Sequence, residues 1–217
     1  MKKVLGIVFL FIALGFTNDK PEKQWELKKS EKGVTVYTRL AENSNYKELK
    51  SVFQVKTSLS SFMALIGDFE SYPKWVYRCG SSKTIKKISN FEYIHYQTVT
   101  APWPVDNRDV VMKIKITQDP VTKMIVQKST AIPDSLPLVE DHVRIKVFHS
   151  QWTIVPQKDG ILNAEFKLLV EPGGNIPAWL VNLAVVDGPF ETNVNLKEWV
   201  FKDKYQKAKL SHIQELE

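Results

Sequence analysis

A single cysteine among 217 residues rules out an internal disulfide in any compartment. Cys79 has no anchored histidine motif to make it a nucleophile, and it reads as a small core residue. The four histidines, His95, His142, His149 and His212, fall at no metal-ligand spacing, so no metal site is expected. There is no Gly-x-Ser-x-Gly elbow and no glycine-rich phosphate loop, which leaves no catalytic constellation and no cofactor to hold. The chain has no repeat of fixed period, no low-complexity tract and no long block of one charge sign. Its aromatics sit on apolar strands and helices rather than interleaved with surface cations, so nucleic acid is excluded as a partner.

An apolar run of membrane-spanning length is also missing at the N-terminus: Val4 to Phe16 has 13 residues, against the roughly 20 a bilayer requires. Preceded by Lys2-Lys3 and followed by Thr17-Asn18-Asp19-Lys20, it reads as a secretory signal peptide over residues 1–17, cleaved near Gly15 or Thr17. The protein is therefore expected to be exported, periplasmic or secreted, and membrane-anchored if the segment is retained. No cysteine follows the run, so a lipoprotein anchor is not indicated. Residues 18–217 suit one domain with a substantial core. Losing Lys2 and Lys3, with no acid in the segment, lowers the formal charge from +6 to +4. Spread along the chain, that charge favours an anionic membrane by on the order of 1 kcal/mol per nearby cation, and scattered solubilising lysines explain it equally well. A monomer is expected.

What is present is mostly strand. Val34 to Tyr37 and Leu49 to Val55 alternate, and further strands are expected near 82–89, 92–100, 109–118, 122–131, 143–155 and 161–170, separated by turn signals. Between them Leu59, Phe62, Met63 and Ile66 recur at helical spacing behind a Ser/Thr cap, and Ser71 to Val76 reads as a second short helix. Short connections between successive strands predict an antiparallel sheet. Met112, Ile114 and Ile116 share one face, with Lys113 and Lys115 on the other. Leu162, Ala164, Phe166 and Leu168 oppose Asn163, Glu165 and Lys167 in the same way, and one continuous strand would put Ile145, Val147 and His149 together.

The cover for the dry face is a helix from Ile176 to Phe190, with Asn175 as N-cap, Pro177 in the first turn and a kink at Pro189. Trp179, Leu180, Val181, Leu183, Val185 and Val186 make its first half apolar nearly all round, which predicts enclosure on more than one side. From Lys202 on the pattern is that of a charged helix.

The stretch Ala101 to Val111 is the most distinctive. Pro102 and Pro104 cannot donate to a ladder, so a loop must run to about Arg108, where the strand begins, and it carries Trp103 between its prolines. Arg108 and Asp109 are expected to find separate partners in a structural role.

Pro-Trp-Pro followed by Asn-Arg-Asp resembles the START lipid-transfer domains. So, in the same order, do Trp25 with Gly33 to Tyr37, Asp68 with Tyr72 and Trp75, Lys128-Ser129-Thr130, and Gly173 to Asn182. The resemblance covers about residues 24–209. It implies an α+β helix-grip fold, a curved antiparallel sheet around a long C-terminal helix with an internal apolar cavity. It also implies a non-enzymatic carrier or sensor of a lipid or other hydrophobic small molecule, with transient membrane contact. A polyketide cyclase-like enzyme using the same cavity is the alternative, and a scaffold with a filled cavity the third reading.

If Met112, Ile114 and Ile116 face the cavity, the next strand offers either Tyr93, His95 and Gln97 or Ile94, Tyr96 and Thr98. The resemblance favours the first set, since Gln97 matches a ligand-contacting glutamine of the ceramide-transfer members. Lys128 stands where those members have asparagine, Lys74 where phosphatidylcholine-transfer members have a phosphate-binding arginine, and Ile114 where cholesterol-binding members have a buried arginine. The expected lining is Tyr93, His95, Gln97, Trp103, Met112, Ile114, Phe166, Trp179, Leu183 and Val186. Trp103 is expected to close the mouth against the Trp179 to Leu183 turn.

The N-terminal reading is tested by sequencing the mature protein from cell fractions. A start between Phe16 and Pro21 outside the cytoplasm is expected, and an intact Met1 on membrane-bound protein would refute cleavage.

Overall fold

The computed structural model describes residues 24–216, so the segment read as a signal peptide lies outside the described residues. The strands are β1 (Glu26–Glu31), β2 (Val34–Leu40), β3 (Lys47–Lys56), β4 (Cys79–Ser89), β5 (Glu92–Val99), β6 (Asn107–Gln118), β7 (Ile125–Ala131), β8 (His142–Arg144), β9 (Val147–Pro156) and β10 (Ile161–Glu171). The helices are α1 (Leu59–Ile66), α2 (Ala178–Ala184), α3 (Asp187–Trp199) and α4 (Asp203–Gln206). The strands form one curved sheet in the order β1-β2-β3-β10-β9-β7-β6-β5-β4, with the C-terminal helices against it. Every pairing along this path is antiparallel, and β8 adds a short parallel partner to β6.

Local chemistry sets the boundaries. The Ser58 hydroxyl accepts from Ser61 N at 3.0 Å and caps α1, which stops at Gly67. The corner after it is a short 3-10 helix over Phe69–Lys74, two residues earlier than the short helix expected over Ser71 to Val76; Pro73 cannot donate a helical hydrogen bond. Its side chains anchor it: the Tyr72 hydroxyl donates to Ile66 O at 2.6 Å, Trp75 Nε1 to Ser71 Oγ at 3.0 Å, and the Tyr205 hydroxyl to Asp68 at 2.9 Å.

The structure adds a strand the sequence analysis did not expect and corrects four expectations. β1 has no alternating pattern, because as an edge strand exposed on most of its residues it needs none. The strand expected over 143–155 is broken at Ile145-Lys146, so the facing resets: Ile145 packs with Met112 and Ile114, whereas His149 points out. The C-terminal helix begins only at Ala178, with Pro177 at the cap position in extended backbone. That helix also breaks at Val185-Val186, ahead of Pro189, because proline has no N–H to bond back four residues; the ladder resumes with Phe190 N to Val186 O at 3.1 Å. Beyond Lys202 only the single turn of α4 is helical.

The ends of the sheet are tied by charges that do find separate partners. Arg144 grips Asp109 with two parallel bonds, Nε to Oδ1 and Nη2 to Oδ2, both 2.9 Å, and gives its remaining hydrogens to the carbonyls of Pro133, Leu136 and Pro137. That bond to Asp109 holds the guanidinium pKa above its ordinary value. Arg108 instead donates to Asp106 O and, at 3.4 Å, to Gly173 O. Gly173 and Gly174 have φ of 68° and 70°, and a Cβ on Gly173 would stand 3.3 Å from Val143 Cγ1, so this crossing needs glycine twice over.

Asp109→Ala leaves the buried Arg144 without its counter-charge and should cost roughly 3–5 kcal/mol in urea unfolding. Removing the half-exposed Lys113–Glu92 pair by Lys113→Ala should cost no more than about 1 kcal/mol in the same measurement.

Candidate functional site

Residues directly opposite in a ladder share a face, so the register lays out the concave side row by row. One row runs Ser51, Phe166, Trp152, Gln127, Ile116 across β3, β10, β9, β7 and β6. The next holds Leu49, Leu168, Ser150, Ser129, Ile114 and Tyr93. A third sets Val170 opposite Phe148, and Met112 between Ala131 and His95. The same register puts Gln97 opposite Val110, so Tyr93, His95 and Gln97 do lie on the side of Met112 and Ile114.

Coverage of this face is uneven. At one end Phe53, Ala164 and Ile154 are sealed beneath α1 and the C-terminal segment, in one core with Phe62, Phe190, Leu196 and Ile213. Toward β8 and the start of α2, however, Leu168, Val170 and Phe148, and farther back Phe166 and Ile116, face inward and yet stay only half-buried. Protein interiors pack to crystal density, so these inward apolar side chains are not sealed in a filled core. A groove of ≈ 670 Å³ on the opposite side, lined among others by Thr35, Gln54, Asn163, Glu165 and Lys197, involves none of the expected site residues.

His95 is 1 % exposed, with its ring 4.4 Å from Phe69 and 5.8 Å from Tyr72. Burial pushes its pKa down to about 4, with the neighbouring Gln97 side chain pulling weakly the other way, so the ring is neutral at ordinary pH. Its Nε2 lies 3.4 Å from Ser82 Oγ, and Nδ1 has no partner. Tyr93 donates its hydroxyl to Asn90 O at 3.0 Å and presents only its ring to Phe69. Phe166 lies on Trp152, ring centroids 4.6 Å apart, and Val186 packs on the main core. Burial raises the Cys79 thiol to about 11, in keeping with a core residue and not a nucleophile.

Two expected lining residues are elsewhere. Trp103 is 92 % exposed at the tip of its loop, so it neither belongs to the core nor rests on the Trp179 to Leu183 turn. The loop is closed on itself by Val105 N to Pro102 O at 2.9 Å and Ala101 N to Asn107 Oδ1 at 3.1 Å, which holds the ring outward. Trp179 is 65 % exposed and Leu180 44 %, so α2 is not enclosed as its all-round apolar sequence suggested. Leu183 lies within the same helix. These segments leave the sheet at one end: Asn107 pairs with His142, and Gly173 crosses beside Val143. The loop before β8 adds Leu138 and Val139, also exposed.

Sequence reasoning missed the polar groups of the concave face. Lys128 is exposed, and its neighbours Gln127 and Ser129 are the inward pair. No period reveals this, since the inward set Ile125, Gln127, Ser129, Ala131 is no more apolar than the outward one. Asn193 on α3 is fully buried and donates to Ser51 Oγ.

Comparison with known proteins agrees with this geometry. The START domain profile matches residues 17–199. A Pseudomonas aeruginosa protein, PA1579, is 29% identical over 198 residues, covering 91% of this chain and 97% of its own length. Mouse phosphatidylcholine transfer protein is 28% identical over 174 residues, 76% of this chain and 78% of that one. The crystal structure of a STAR-related lipid transfer protein from Xanthomonas axonopodis superposes with a TM-score of 0.75 at 33% identity, covering 81% of this chain and 98% of the other.

The neutral His95 makes stability pH-dependent with a definite sign. The unfolded chain takes up the proton near pH 6.5 and the folded one only near 4, so stability falls as pH drops through that window, by about 3 kcal/mol in all. Urea unfolding of His95→Phe should show a shallower decline between those pH values than the parent.

Proposed function

The chain belongs to the START domain family, and on that footing we propose that it carries a lipid or other hydrophobic small molecule in the hollow of its concave face without acting on it chemically. The observation that supports this most is the central patch of inward, half-buried apolar side chains, Phe148, Phe166, Leu168 and Val170, on a face whose far end is sealed. Apolar surface of this kind gains about 25 cal/mol per Å² when a ligand covers it, and no buried charge stands in the patch to oppose an acyl chain or ring system.

The mouth is read from the same end of the sheet. Trp103, Leu138, Trp179 and Leu180 stand exposed there on three adjacent segments, and exposed large apolar groups gathered at one edge mark a surface that meets something apolar. Tryptophan is favoured at the membrane interface, so this edge is assigned the transient membrane contact through which ligand enters and leaves. The 101–107 loop and the start of α2 are the moving parts of the proposed gate, because opening the ladders would break many paired backbone bonds. The signal-like N-terminus places this carrier outside the cytoplasm in the proposal.

Organic extraction of the purified protein with native mass spectrometry should recover an apolar ligand, and transfer of labelled lipid between vesicles should be catalytic in protein. Trp103→Ala should leave unfolding within about 0.5 kcal/mol of the parent and slow transfer several-fold. Absence of any bound or bindable apolar molecule counts against the reading, and a stability loss with unchanged transfer kinetics counts against the gate.

A further inference from the structure

The outer face of the sheet carries charge that the fold does not need. One outward row runs Lys115, Lys128, Gln151, Lys167 and Lys50 across β6, β7, β9, β10 and β3. Lysine therefore stands directly against lysine twice, Lys115 against Lys128 and Lys167 against Lys50. Like charges set opposite each other destabilise a sheet, so the row works against stability. The face does not neutralise it either. The outward acids of these strands and of β5 are Glu48, Glu92, Asp109, Glu165 and Glu171. The first four already hold Arg39, Lys113, Arg144 and Lys167 in that order, and Glu171 accepts from Ser44 Oγ at 2.8 Å. Lys115 and Lys128 are exposed, and no salt bridge among the described residues includes them or Lys50.

The shape and lining of this face say what it meets. At about 4.8 Å per strand the row is roughly 19 Å long, and it crosses the convex side of a curved sheet, so it suits a chain rather than a plane or a small ion. Alongside it opens the ≈ 670 Å³ groove, whose lining includes the hydroxyls and amides of Thr35, Gln54, Thr153 and Asn163. Such groups hydrogen-bond hydroxyls as donor or acceptor, which an acidic peptide would leave unused. None of the exposed large apolar side chains belongs to β3, β6, β7, β9 or β10, so the face has nothing to insert into a bilayer. Lys115 is also eight residues along β6 from Asn107, roughly 27 Å from the end where the mouth segments gather, beyond reach of a membrane met there. At the end of the row, the rings of Trp25 and Tyr37 carry Lys50 Nζ at 4.8 and 5.1 Å from their centroids, which leaves no open platform for a nucleic-acid base.

We propose that this outer face docks a linear acidic polysaccharide bearing a carboxylate on each sugar, with the carboxylates over the lysine row and the hydroxyls in the groove. The proposal goes beyond the carrier reading and uses none of the residues of the concave face.

The test is binding of the purified protein to polygalacturonate, compared with its methyl ester, polyglutamate, single-stranded oligothymidylate and vesicles of phosphatidylcholine with phosphatidylglycerol. Polygalacturonate should bind at least tenfold tighter than the ester, which lacks the charge, and tighter than polyglutamate, which lacks the hydroxyls. Lys115→Gln with Lys128→Gln should weaken that binding about tenfold and flatten the fall of log affinity with log salt by one to two units, since fewer cations are engaged. The same variant should unfold at or above the parental temperature, because a facing pair of like charges is gone. Lys115→Arg with Lys128→Arg should keep the binding. Equal affinity for acid and ester, a preference for polyglutamate, or binding of oligothymidylate or vesicles that the glutamine variant loses would overturn the polysaccharide as partner. Unchanged affinity and salt slope in the glutamine variant, or a lower unfolding temperature, would overturn the lysine row as the site. Recovery of an apolar ligand from the same protein decides the carrier reading separately.

Discussion

The rest of the structure depends on a mismatch of widths. A sheet of this breadth with one apolar face must bury that face, and the helices packed against it are too few and too short to do so everywhere. At the sealed end α1, α3 and the C-terminal segment close over Phe53, Ala164 and Ile154, and the packing there is that of an ordinary core. Farther along, α2 lies so open that Trp179 and Leu180 face solvent, and the wall beneath keeps accessible surface. A filled core would be more stable by the dispersion contacts that such a hollow lacks.

Rigidity around the hollow comes from polar groups at its rim. Asp109 and Arg144 bind the 133–137 segment to the back of β6, and Arg108 joins the end of the Trp103 loop to the glycine crossing before α2. The mouth segments are therefore not loose ends. Each is fastened at its base, with its apolar tip exposed. His95, beside Phe69 and Tyr72, is kept neutral, so its place on the wall carries no charge down to mildly acidic pH.

Similarity to a phosphatidylcholine transfer protein and to a STAR-related lipid transfer protein establishes the fold and the family, and it leaves the ligand open. Head groups are chosen by a few inward side chains, and those are the positions where one fold can host different chemistries.

Alternation and punctuation alone located nearly every strand, the capped helix α1 and the loop held open by Pro102 and Pro104, because period and proline act locally. The ordered run of motifs carried the family. The sequence also settled that Met112 and Ile114 share a face, since neighbours two apart in a strand have no choice. What it left open was everything that depends on which strand lies beside which: the facing of Tyr93, His95 and Gln97, the inward turn of Gln127 instead of Lys128, the partnership of Asp109 with a residue 35 positions away, and the exposure of Trp103 and Trp179. Edge strand β1 and the break at Ile145 were invisible for the same reason. Burial is a property of what covers a residue, and only the tertiary structure decides what covers it.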